Sequence, residues 1–244
     1  MEEQPLIELQ NVTAGYNGEP VLKDINLRIY PEDFIGVIGP NGGGKTTLIK
    51  VILQLIKPMK GKVIRNTSGI GYLPQISDID RQFPITAEDV ILSGKADRKH
   101  LFLQKSRTDK KEAYELLNKM GARHLLKKSI GELSGGQMQR VFLCRALISN
   151  PEILILDEPN TYVDNKFEGE LYEMLREYNK TMSILMVSHD IGMISPYVKT
   201  IACVNEHLHY HRSNVITEKQ LESYNCPIQL VTHGDVPHTV LKKH

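Results

Sequence analysis

Residues 39–47 read Gly39-Pro40-Asn41-Gly42-Gly43-Gly44-Lys45-Thr46-Thr47. The spacing is that of a phosphate-binding loop, with Gly39, Gly44, Lys45 and Thr46 at its fixed places. Glycines let successive backbone N–H groups point into one concavity, because no Cβ stands in the way. A lysine reaches the β- and γ-phosphates as a point charge. A threonine hydroxyl offers Mg²⁺ the oxygen ligand it prefers. The flanks agree. Phe34-Ile35-Gly36-Val37-Ile38 is a short apolar run that predicts a buried strand, and 46–55 carries apolar residues at helical spacing. A strand, a glycine loop and a helix N-terminus form the setting in which an anion is best held. A chance match in a glycine-rich turn would lack these flanks.

The surrounding chain of 244 residues is long enough for one large domain or two small ones. Its 41% apolar and 24% charged residues are ordinary for a soluble globular protein. With 30 Lys and Arg against 29 Asp and Glu the formal net charge is +1, which gives no argument for bulk nucleic-acid binding. No apolar run is long enough to predict a membrane span. The start, Met1-Glu2-Glu3-Gln4-Pro5, is acidic and lacks the apolar stretch of a signal peptide. Cys144, Cys203 and Cys226 are odd in number and widely spaced, so reduced thiols in a cytoplasmic protein are expected. Cys144 lies in an apolar helical stretch and is expected to be plain core.

Alternating residues predict strands over 6–12 and 21–29 around a turn at 15–20 that holds Tyr16, then short strands near 62–65 and 70–73. Between 76 and 132 strand-like runs vanish, and helical spacing is found at 86–92 and 108–120. The Lys and Arg between Lys95 and Lys111 read as a solvated face, with a surface near anionic lipid headgroups as the sharper alternative. A helix over 134–149, a buried strand over 152–157, a helix over 164–178 and a buried strand over 183–188 follow. Strands and helices alternate, so the fold is α/β, a mostly parallel sheet with helices on its faces. The expected division is a nucleotide-binding core of 1–77 with 148–225, a helical segment of 78–147, and a His-containing tail of 226–244.

Two further stretches carry chemistry. Ile153-Leu154-Ile155-Leu156-Asp157-Glu158 is an apolar strand ending in two acids. Asp157 can hold Mg²⁺ through water, and Glu158 would stand where an attacking water is polarised. The plainer reading is an exposed acidic turn, which the phosphate loop upstream weakens. In Leu133-Ser134-Gly135-Gly136-Gln137-Met138-Gln139-Arg140 a serine and two glycines open a helix. That is a second terminus able to present N–H groups and a hydroxyl to phosphate. One phosphate loop and one separate phosphate-binding turn suggest a composite site made by two chains.

Together these stretches resemble the ATP-binding-cassette (ABC) ATPases over nearly the whole chain. Gly39 to Thr47 is similar to the family's Walker A loop, Leu133 to Gln137 to its signature motif, and Ile153 to Glu158 to Walker B with its catalytic glutamate. Gln75, in Tyr72-Leu73-Pro74-Gln75, is similar to the Q-loop glutamine, His189 to the switch histidine, and Tyr16 to the aromatic that stacks on adenine. Asn160-Thr161-Tyr162-Val163-Asp164 sits where the family usually reads Ser-Ala-Leu-Asp; Asp164 is kept and the rest departs. The resemblance implies a P-loop NTPase fold with a RecA-like core, an N-terminal antiparallel β subdomain and an inserted α-helical subdomain. It implies ATP and Mg²⁺, the latter on Thr46, Gln75 and Asp157. Lys45, Gln75, Glu158 and His189 would carry hydrolysis. Tyr16, Pro40, Asn41, Gly42, Gly43, Thr47, Ser134, Gly135, Gly136, Gln137 and Asp164 would hold nucleotide.

Two function classes compete: the motor subunit of a membrane importer, and a soluble cassette protein of DNA or of iron–sulfur assembly. No heptad insertion lies between Gln75 and Leu133, and the net charge is near zero, both of which speak against a DNA clamp. Gly42-Gly43-Gly44, the 160–164 stretch, Phe83-Pro84-Ile85-Thr86-Ala87-Glu88-Asp89-Val90, and the tail from Cys226-Pro227 through His233-Gly234 to Pro237-His238 resemble the zinc/manganese importer ATPases. Siderophore or haem import and iron–sulfur assembly are the alternatives. The implied partners are a second copy on ATP binding, two copies of a multi-span permease at the inner face of the cell membrane, and an extracytoplasmic metal-binding protein; no nucleic acid is expected. His207, His209 and His211 share a strand face and suit zinc, though a solvated strand followed by a mobile tail with His233, His238 and His244 is the expected reading. Phe83, Pro84 and Ile85, after the loop that follows Gln75, read equally as a docking patch or as core.

Overall fold

A computed structural model describes residues 4–67, 69–76, 79–95, 106–160, 165–211, 213–214, 228–232 and 237–241. The chain divides into two compact units, Met1–Thr67 with Leu175–His244, and Ser68–Met174.

In the first unit, β1 (Ile7–Tyr16) and β2 (Glu19–Ile29) form a hairpin, and β4 (Lys60–Arg65) pairs with the other edge of β1, all antiparallel. The turn is only Asn17-Gly18, both with positive φ, the chemistry of a tight two-residue hairpin. Tyr16 therefore ends a strand rather than sitting in a turn. The alternation along β1 is imperfect for a structural reason. Ile7 and Leu9 are buried, then Val12 and Ala14, because a register shift between Leu9 and Val12 inserts one extra residue opposite Leu27 and Ile25. The bulge moves the apolar set by one position and keeps it on one face.

The same unit holds a second sheet. β3 (Phe34–Ile38), buried at every position, lies between β7 (Ser183–Val187) and β8 (Thr200–Asn205), both parallel to it. A strand covered on both faces reads as a continuous apolar run. β9 (His207–His211) returns antiparallel to β8. β8 is not among the expected strands; its small residues Ala202 and Cys203 carry little strand signal, and burial decides it. β10 (Ile228–Thr232) and β11 (Pro237–Leu241) form an antiparallel hairpin, from Ile228 opposite Leu241 to Thr232 opposite Pro237. The described residues of the expected tail lie in this hairpin. α1 (Lys45–Ile52) stops short of the expected 55 because Gln54 turns left-handed at φ 58, and the Leu55 N–H closes on the Lys50 carbonyl at 2.8 Å. α6 (Ile191–Ile194) follows β7.

The second unit has β5 (Ile70–Leu73) parallel to β6 (Ile153–Asp157), in register from Ile70 opposite Ile153 to Leu73 opposite Leu156. Its helices are α2 (Ala87–Ser93), α3 (Arg107–Lys119) and α4 (Gly135–Leu147); α5 (Asn165–Tyr178) begins here and crosses into the other unit. The starts of α2, α3 and α4 are set by side chains. Thr86 Oγ1 accepts from the Asp89 N–H, and Ser106 with Asp109 and Ser134 with Gln137 close full capping boxes. The sequence reading placed helix starts within a residue or two of these caps. Arg145 donates from Nε to Ser93 Oγ at 3.0 Å and ties α4 to α2. Lys95 bonds Asp109 at 2.8 Å and also Glu112, which joins the end of α2 to α3. Cys144 is buried on α4, as expected of core, and burial pushes its thiol up to about 12.

Candidate functional site

The first group of site residues belongs to the first unit. After β3 the chain enters the loop with Gly39 against β8, where a Cβ would lie 2.0 Å from the Val204 carbonyl oxygen. Only glycine passes there. The Gly43 N–H donates to the Pro40 carbonyl at 3.1 Å, and Gly44, at φ 100, caps α1 without a side-chain hydrogen bond. A helix N-terminus behind a glycine loop is the setting in which an anion is best held. Gly42 sits at φ 78 with open space where a Cβ would be, and it is exposed together with Asn41. The loop is therefore a cradle that backbone alone lines on this side. Lys45 is only 7% exposed, and its Nζ donates to the Gly39 and Pro40 carbonyls at 2.9 Å each. The ammonium stands inside the cradle. Thr46 is half-buried and Thr47 buried.

Two more expected residues lie near this loop. Tyr16 is 44% exposed, and Lys50 Nζ, on the second turn of α1, is 6.0 Å from its ring centroid. A flat aromatic beside the helix that the loop opens suits a stacked base. His189 is exposed and leaves the C-terminal edge of β7. The Ser188 N–H donates to the Val37 carbonyl at 3.0 Å, so the chain after β7 leaves beside the chain after β3. Ligands of parallel sheets bind at that carboxyl edge.

The second group belongs to the second unit. β6 ends in buried Asp157, 3% exposed, followed by Glu158 at φ 50. A left-handed non-glycine residue stores strain of order 1–3 kcal/mol and marks functional positions more often than others. Leu73 and Leu156 are opposite each other in the parallel register, so Gln75 and Glu158 each lie two residues further on. Gln75 Nε2 donates to Glu158 Oε2 at 2.8 Å. From sequence the Gln75 amide is expected on the metal; its carboxylate partner Glu158 comes from the register of β5 and β6.

At the start of α4, Ser134 is exposed. Its Oγ accepts from the Gln137 N–H at 3.3 Å, and Gln137 Oε1 accepts from the Ser134 N–H at 3.1 Å. The hydroxyl keeps its own proton to donate, and the Gly135 and Gly136 N–H groups lie outside the box. The Gln137 side chain is committed to the cap. Asp164, with Thr161, Tyr162 and Val163, lies outside the described residues, as do Cys226, His233 and His244.

Among the described residues no three His, Cys, Asp or Glu groups are placed to share an ion. Burial lowers the affinity of His209 for a proton, with His207 beside it adding to the effect. Phe83 is 59% exposed and Pro84 is exposed too, while Ile85 is half-buried; the reading of Phe83 as core is overturned. Among the described residues no helix is long and apolar enough to cross a membrane.

In the first unit an open backbone cradle with an ammonium inside it fits the phosphates of a nucleotide; in the second, Asp157 and Gln75 carry oxygens of the kind a hard cation takes. Comparison with known proteins points the same way. A family profile described as ABC transporter matches residues 22–161. The zinc import ATP-binding protein ZnuC of Mannheimia succiniciproducens is 42% identical over 209 residues, 84% of this chain and 74% of that protein. The zinc uptake system ATP-binding protein ZurA of Listeria monocytogenes is 36% identical over 234 residues, 89% of this chain and 91% of that one. Among solved structures, a dimeric ATP-binding cassette in a post-hydrolysis state bound to ADP and Pi superposes with a TM-score of 0.75 at 26% identity, covering 86% of this chain and all of that one. A nucleotide-free cassette from an ABC transporter also gives 0.75, at 22% identity over 90% of this chain and 94% of that one.

Proposed function

The chain belongs to the ABC transporter family, and from that premise we propose that it is the ATP-hydrolysing subunit of an importer for a divalent metal ion, zinc first, manganese second. The observation that carries hydrolysis is Glu158, left-handed at the end of β6 and hydrogen-bonded by Gln75. The names of the relatives support zinc over siderophore, haem or iron–sulfur roles.

In this reading Tyr16 stacks on adenine, and the amides of Gly39 to Thr47 with Lys45 hold the β- and γ-phosphates. Thr46, Gln75 and Asp157 would hold Mg²⁺, which when bound neutralises charge on the phosphate oxygens. In-line attack of water on the γ-phosphate needs positioning and charge more than covalent chemistry. Glu158 accepts a hydrogen bond from that water, and His189 donates to the γ-phosphate. Ser134, Gly135 and Gly136, with Asp164, act from a second copy on the nucleotide of the first, as Gln137 holds their turn. We also propose the division into a core of 1–77 with 148–225, a helical segment of 78–147 and a tail of 226–244. The partners are a second copy, two permease chains at the inner face of the membrane, and an extracytoplasmic metal-binding protein reached through them. The exposed Phe83-Pro84 patch meets a short permease helix, since an exposed apolar patch marks a contact.

The test is metal accumulation in the source cells. Cells lacking this chain should fail to accumulate zinc at low supply. The intact chain should restore accumulation and Lys45→Ala should not. Normal zinc and manganese content without the chain would overturn the proposed cargo.

A further inference from the structure

Arg140, on the second turn of α4, has no task in the mechanism above. It stands three and four positions beyond Gln137 and Gly136, on the same helix face, and a helical side chain covers the turn N-terminal to itself. Its half-buried guanidinium reaches two other elements. Nη1 donates to the Met120 carbonyl, the C-cap of α3, at 2.9 Å. Cζ lies 3.9 Å from the centroid of the Phe167 ring, in the first turn of α5, and that ring is 2% exposed. A planar cation at this distance from a buried aromatic ring is in strong cation–π range. One side chain thus joins three pieces of the second unit. These are the signature turn, the end of α3, and the start of the helix that follows Asp157 and Glu158.

We propose that Arg140 is a positioning residue for ATP hydrolysis. It holds the Ser134–Gln137 turn at a set angle to the start of α5. The phosphate-binding turn offered to a second copy then keeps its place relative to the chain's own water-polarising carboxylate. The proposal rests on the cassette reading above. The chemistry calls for arginine, because a lysine can reach the Met120 carbonyl but cannot stack as a plane while doing so.

The experiment uses the full chain with Arg140→Ala, Arg140→Lys, Phe167→Leu and the Arg140→Ala/Phe167→Leu double variant. For each it measures thermal melting, affinity for a fluorescent ATP analogue, and ATPase rate against protein concentration. Nucleotide affinity should stay within about twofold of wild type, because Tyr16 and the phosphate loop belong to the other compact unit. Arg140→Ala should lower kcat by about tenfold and raise the protein concentration needed for half-maximal rate. Arg140→Lys should recover little, and Phe167→Leu should mimic Arg140→Ala with a non-additive double variant. Unchanged kcat, or a loss that follows melting temperature and adds in the double variant, overturns the proposal. If Arg140→Ala does not fold, Arg140→Lys and Phe167→Leu carry the same comparison. A wild type with no ATPase overturns the cassette reading itself, which sets that failure apart from silent variants beside an active wild type.

Discussion

Glu158 is held by its neighbours rather than by its own preference. A glutamate at φ 50 is strained, and it persists because β6 pairs in register with β5 and Gln75 donates to its carboxylate. Replacing Glu158 by Gln removes the charge proposed to polarise water while leaving the shape. Turnover should fall by roughly 10²- to 10⁴-fold with ATP binding retained, as measured by steady-state phosphate release and by equilibrium nucleotide binding. Steady-state turnover like that of wild type would remove Glu158 from its role. At the other strand end, Lys45 rests on the Gly39 and Pro40 carbonyls. Exchanging these carbonyls for phosphate oxygens gains a charge-assisted contact. Lys45→Ala should therefore weaken nucleotide binding itself, a loss that an affinity titration separates from the turnover loss of Glu158→Gln.

At the scale of elements, helix starts are the places where function and stability can be told apart. The α4 capping box needs an acceptor at position 134, and aspartate caps as well as serine. A carboxylate, however, repels phosphate. Ser134→Asp should melt within about 1 kcal/mol of wild type and still lose ATPase activity. A large drop in melting temperature would mean that the residue at 134 does more than accept the cap hydrogen bond. The α3 start behaves differently with pH. The Lys95 ammonium, then the Ser106 hydroxyl and N–H, hold the Asp109 carboxyl at about 2. Its folded value lies below the unfolded value near 3.9. The stability it adds is therefore present above pH 4 and is lost as pH falls from about 4 towards 2. Asp109→Asn should flatten the thermal-melting profile in that window, compared with the native chain; an unchanged profile would place the acid-sensitive contact elsewhere.

At the scale of the whole molecule the chain reads as one half of a working pair. Neither a Lys45→Ala chain nor a Ser134→Arg chain should turn over ATP alone. A mixture should recover activity, because one of its two composite sites joins an intact loop to an intact signature turn. A mixture no more active than the average of its parents would count against the two-chain site. Phe83 tests the contact with other chains. Because it is 59% exposed, Phe83→Asp should leave the ATPase of the isolated subunit nearly intact while abolishing its co-purification with the membrane chains. An insoluble variant would send the docking patch elsewhere.

The sequence by itself determined what is local. The phosphate loop, the capping turn at Ser134 and the acids after Leu156 were legible because each depends on fixed spacings within a few residues. The buried strands β3, β6 and β7 were legible as continuous apolar runs. Tertiary structure decided what depends on neighbours far along the chain. It set the left-handed Glu158 and its bond to Gln75, because two strands distant in sequence lie in one register. It decided the β1 bulge that makes its alternation uneven and β8 with its small residues, since strand pairing is a choice between segments apart in sequence. The exposure of Phe83 and the stacking of Arg140 on Phe167 were equally out of reach. An apolar or cationic side chain looks the same in sequence whether it meets water, a ring or a carbonyl, and only packing says which.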